Sequence, residues 1–227
     1  MKTQDTFERP GVRHGEHGRS VIEALVVIAI VGVLSAVSIP QLISSRRLVR
    51  SAALPRELVT QLRYTRQQAM SQRQAFTFQY TDSTKQIAII DHNNVDNPNP
   101  GCNFSGAAIM AHGSYPNTPC STTVLTVPLT GRIVMPAAEL SFGVPPGVSV
   151  TTLSDNTAPT ALTGGRLNIT FQPNGTVIDG AGNFANRTLF FYNNKAARET
   201  ASAISVLGAA GRIKLWRYNI GANNYAE

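Results

Sequence analysis

Twenty-two consecutive residues, Ala24 to Ser45, carry no charge, and most of them are apolar. A membrane-spanning helix needs about 20 such residues, so a chain holding this run has few alternatives to burying it in lipid or against other helices. The run begins immediately after a carboxylate, Glu23, and ends at Arg46, Arg47 and Arg50. It lies too far from the start, and is too long, for an ordinary secretory signal, and no small-x-small cleavage site follows it. Residues 1–18 are polar, with Lys2, Arg9 and Arg13 balanced by Asp5, Glu8 and Glu16. Basic residues flank the run in similar numbers on both sides, so the charge rule does not decide its orientation.

Beyond residue 46 the helical pattern continues. At 100° per residue, Leu54, Leu58, Leu62, Thr65 and Ala69 fall within an arc of about 80°, while Arg56 and Arg63 point the other way. The expectation is a long helix laid against a sheet, with Pro40 and Pro55 as kink points. From Gln74 the period changes to two. Strands are expected over 74–80 and 86–92, joined by a turn at 81–85, then in "RIVM", "ELSFGV" and "GVSVTT". A hairpin is expected over 166–179, with Pro173-Asn174-Gly175 as its turn, followed by strands at 187–193, 202–207 and 211–218. The fold class is therefore α+β, a long amino-terminal helix on an antiparallel sheet, with residues 151–165 as a surface loop.

Gly18, then Arg19-Ser20-Val21-Ile22-Glu23, then "ALVVIAIVGVLSAVSIP" together resemble a type IV prepilin signal. In that family a prepilin peptidase cuts after the glycine and methylates the new amino terminus, which here is Arg19; the first mature residue is more often Phe, Leu or Met. Gly18 makes Glu23 the fifth mature residue and Pro40 the twenty-second, both family positions. The resemblance implies a leader (1–18), a transmembrane assembly helix (19–45), an amphipathic continuation (46–74) and an antiparallel β domain (75–227). It also implies a single pass through a bacterial inner membrane with the carboxyl-terminal domain in the periplasm. Implied partners are the peptidase, other major and minor pilins or pseudopilins, and the inner-membrane assembly platform. A carboxylate inside a bilayer costs roughly 2.5–3.5 kcal/mol on insertion scales. The resemblance implies that Glu23 is compensated by the amino terminus of a neighbouring subunit; the alternative is a headgroup position favoured by the helix dipole.

The order "LVTQLRYTRQQAMSQRQAFTF", "ITFQPNGTVIDGAG", "GRIKLW" further resembles the GspH/FimT group of minor pseudopilins, which serve type II secretion or type IV pilus assembly. A second reading, DNA uptake, rests on the last of these segments. Removing the leader takes away three basic and three acidic residues, so the remainder stays at +7. Alternation puts Arg212, Lys214, Trp216 and Tyr218 on one strand face, with Arg217 opposite. Cations beside aromatics suit phosphate contact with base stacking. Some FimT-like pilins carry Gly-Arg-x-Arg here, and the matching residues are Gly211, Arg212 and Lys214. The structural alternative is an edge strand guarded by basic residues.

Two cysteines, Cys102 and Cys120, enclose a turn-rich segment. In an oxidising compartment a bridge closing a loop of that size stabilises by about 3 kcal/mol in the chain-entropy model. Free thiols, and a zinc site recruiting His92 or His112, remain as alternatives, although the spacing matches no ligand pattern. No HExxH, P-loop, nucleophile elbow or carboxylate pair stands out, and "GAGNFA" follows a strand with no helix signal behind it. The expectation is a non-enzymatic protein without cofactor or metal.

Overall fold

The computed structural model describes residues 21–92, 121–130, 135–148 and 152–227, and the chain divides between Ser44 and Ser45 into two compact units. One helix, α1 (Val21–Gln72), passes through that division. Pro40 and Pro55 both lie inside it, and neither terminates it. Each withholds one backbone donor, a loss that a long helix absorbs when its neighbouring bonds persist.

In the first unit the described side chains of α1 are exposed all round, with Val21 at 76% and Val33 at 67%. A helix apolar on every face has no water-facing side, which is the condition of a membrane or helix-packing segment. This helix is long and apolar enough to cross a bilayer.

In the second unit the expected stripe is the buried one: Leu54, Leu58, Leu62, Thr65 and Ala69 are all 2% exposed or less, and Arg56 and Arg63 are exposed. The strands are β1 (Phe76–Thr81), β2 (Gln86–Asp91), β3 (Thr122–Pro128), β4 (Leu140–Phe142), β5 (Arg166–Phe171), β6 (Val177–Ile178), β7 (Arg187–Asn193), β8 (Ser202–Leu207), β9 (Arg212–Asn219) and β10 (Asn224–Ala226). The fold class is the α+β arrangement expected, a long amino-terminal helix with antiparallel strands. The strands form two five-stranded sheets where one was expected, ordered β3-β2-β1-β5-β6 and β10-β9-β8-β7-β4. "RIVM" and "GVSVTT" lie in part outside the described residues, while β3 and β10 were not anticipated.

The main core gathers the helix stripe, the inward residues of the first sheet (Phe76, Phe78, Tyr80, Ile87, Ile89, Ile169) and those of the second (Leu189, Phe191, Ile204, Val206). Tyr80, Phe142 and Phe191 meet ring to ring, with centroids 5.4–5.7 Å apart, and stitch one sheet to the other. The second sheet buries its other face as well, in a cluster of Leu153, Phe190, Ala203, Trp216, Tyr218 and Tyr225. β7 and β8 are accordingly buried along nearly their whole length on both faces. Residues 152–165 form the loop expected, exposed along most of its length and pinned to the domain at a few buried points. Leu153 and Thr157 are 3% and 2% exposed, and the Ser205 hydroxyl donates to the Asp155 carboxylate.

Candidate functional site

The site residues of the sequence fall in three places. Gly18, Arg19, Cys102, Cys120 and His112 lie outside the described residues. Glu23 sits in the first described turn of α1, exposed, directly before the uncharged run, and the helix backbone continues through Pro40. Arg212, Lys214, Trp216, Arg217 and Tyr218 lie on β9.

On β9 the alternation is as expected, but the exposure is not. Trp216 and Tyr218 are 3% and 8% exposed, inside the second core. The Trp216 indole N–H donates to Ser205 Oγ at 2.9 Å, and the Tyr218 hydroxyl donates to Asn223 Oδ1. Lys214 lies over the Trp216 ring at 4.8 Å from its centroid and pairs with Glu227 at 2.8 Å. Neither aromatic is open to a base, because β10 and the 152–157 loop occupy the face a nucleic acid would need. Nor is β9 wholly an edge, since Arg217–Asn219 pair with β10. Arg212 and Arg217 remain exposed.

The two motif segments "FQPNG" and "GRIKLW" meet in space. In the β5–β6 turn Gly175 has φ +79°, and in the β8–β9 turn Gly211 has φ +57°, both left-handed values that favour glycine. A Cβ on Gly211 would overlap the Gly175 carbonyl oxygen. From α1, the Arg66 guanidinium donates to that same carbonyl at 3.2 Å and to the Ala210 carbonyl at 3.3 Å. Arg66 is thus a clamp tying one hairpin of each sheet to the helix. The sequence pattern did not single it out, although its place beside the buried Thr65 and its branched donor set were available signals.

On the first sheet's outer face a chain of hydroxyls runs through a histidine. Thr77 Oγ1 lies 2.7 Å from Thr170 Oγ1 and 2.6 Å from His92 Nε2, and His92 Nδ1 lies 2.8 Å from Ser121 Oγ. His92 is 2% exposed, and burial pushes its pKa down to about 3. Its ring nitrogens are occupied by hydroxyls, and among the described residues no group of three or more His, Cys, Asp or Glu could hold a metal. Between pH 6.5 and about 3 the unfolded chain takes up a proton that the folded chain refuses. Stability is therefore intact above pH 6.5 and falls on acidification by about 1.4 kcal/mol per pH unit within that window. Urea unfolding at stepped pH should show this slope in the parent and a clearly shallower one in His92→Asn.

No protein-family model matches the chain, and no curated protein matches it. Two crystal forms of the Pseudomonas aeruginosa type IV minor pilin FimU are similar in structure. The identities are 19% and 17% and the TM-scores 0.37 and 0.39, over 72% of this chain and 86% and 90% of theirs. Likeness of this size fixes neither fold nor function by itself.

Proposed function

We propose that this chain is a minor pilin or pseudopilin, a membrane-anchored filament subunit of a type IV pilus or type II secretion system. The observation that carries the reading is α1 itself. One unbroken helix bears an all-round apolar, exposed segment headed by Glu23, and then supplies Leu54, Leu58 and Leu62 to the core of a β domain. An anchor alone needs no such continuity, and a soluble domain needs no such apolar extension. Storage of residues 24–45 in lipid, followed by transfer among similar helices, keeps that surface out of water at each stage. Gly18 and Arg19 frame the peptidase and methylation site, and Glu23 meets a cation from the neighbouring subunit. The resemblance of residues 18–40 to a prepilin signal supports a periplasmic placement of the β domain. The DNA-uptake reading is weaker, since its stacking groups, Trp216 and Tyr218, lie in the core. Processing at Gly18, read from the intact mass of the membrane-extracted chain, tests the assignment.

A further inference from the structure

One cleft of the β domain is lined by residues outside α1. The tight turn Thr163–Arg166 closes on two backbone bonds, Thr163 N–H to the Arg166 carbonyl at 2.8 Å and the reverse at 3.1 Å. It opens β5 with Arg166 at its first position, on the face opposite the core residues Leu167, Ile169 and Phe171. Arg166, Asn168 and Thr170 share that face, and Arg187, the first residue of β7, meets them across a cleft of about 290 Å³.

The cleft is rich in donors. Among the described residues the ion pairs are Arg47–Glu139, Lys85–Asp82 and Lys214–Glu227, so neither Arg166 nor Arg187 is paired with a carboxylate there. One carboxylate also lines the cleft, Asp179, whose Oδ1 accepts the N–H groups of Ala181 and Asn183, both at 2.9 Å, and against two arginines it leaves the lining net positive. Asn168 spends its carbonyl oxygen on the Gln79 amide at 2.9 Å, which leaves its amide nitrogen as the group able to donate. Two guanidiniums, the Asn168 amide and Thr163 thus line one cleft, and among the described residues only Nη1 of the Arg187 donors has a bond within the chain, to the Asn186 carbonyl at 3.4 Å.

Two cations against one carboxylate give the cleft a net positive lining that favours an anion. Guanidinium forks match carboxylate and phosphate oxygens in a bidentate manner. We infer that this cleft binds an oxyanion, a carboxylate or a phosphate on a small polar ligand, held by Arg166 and Arg187 with Asn168 and Thr163 completing its hydrogen bonds. The volume sits at the lower end of small-molecule sites, which suits a ligand the size of a single sugar or phosphate ester.

Isothermal titration calorimetry of the full chain in detergent, at ionic strength matched with chloride, tests the inference with inorganic phosphate and, separately, glucuronate. Saturable one-site heat is expected with at least one of them, and which one responds identifies a phosphate or a carboxylate source. Arg166→Gln with Arg187→Gln should weaken that binding by roughly tenfold or more. Arg63→Gln, at an exposed charge on α1 that does not line the cleft, should leave it unchanged. Absence of saturable heat with both probes would overturn the inference. So would binding that survives the double substitution, or binding that Arg63→Gln weakens equally.

Discussion

Glu23→Ala should insert into the membrane at least as well as the parent chain and be absent from sheared filaments. Insertion improves because the substitution removes the one carboxylate bordering an uncharged run of twenty-two residues, where a charge costs at most the roughly 2.5–3.5 kcal/mol it would cost at the helix centre. Assembly fails because the apolar surface of residues 24–45 is nearly featureless along the helix axis, and apolar side chains slide past one another at little cost. A single charge that must find a cation fixes the axial position. Glu23→Gln separates charge from shape: it keeps the length and the hydrogen-bonding capacity, and it should fail as well. Normal quantities of either variant in the sheared fraction would show that the acid marks only the headgroup boundary.

The second large effect lies at the junction of the two hairpins. Gly211→Ala should lower the unfolding free energy of the β domain by about 3 kcal/mol or more and its Tm by about 6 °C or more. Part of that is the left-handed backbone, roughly 1–2 kcal/mol for a residue with a Cβ. The rest is the collision with the Gly175 carbonyl, which pushes the β5–β6 turn from the β8–β9 turn and breaks the Arg66 clamp. Gly164 is the control. It has the same φ of +57°, yet nothing lies within 4 Å of the Cβ that alanine would add. Gly164→Ala should therefore cost only the backbone share. Equal effects of the two substitutions in thermal unfolding would show that the junction adds nothing to stability.

Some of this architecture was legible because it is local. The stripe from Leu54 to Ala69 repeats with the helical period, and the 166–179 hairpin carries its own turn chemistry, so both stand in the structure where expected. The division into two sheets was not legible. Phe190 and Phe191 face opposite cores, and Ala203, Ile204 and Val206 are buried although they alternate across the strand, so these segments carry no polar face to say which sheet they join. Strand β3 escaped for the opposite reason: its residues are mostly exposed Thr and Val with a terminal Pro, and no buried alternation marks them. At β9 the face assignment held, but burial of Trp216 and Tyr218 depends on Leu153 and Tyr225, which lie far from Trp216 in sequence or across a turn. Arg66 and the Arg166–Arg187 cleft are likewise products of long-range pairing, which no window of sequence displays.

Intact-mass spectrometry of the chain extracted from membranes bears most directly on the central claim. A pilin-type subunit shows a mass that begins at Arg19, with residues 1–18 gone and one methyl group added at the new amino terminus. A chain that still carries Met1 through Gly18 is an ordinary membrane-anchored protein, and the filament reading falls with that result.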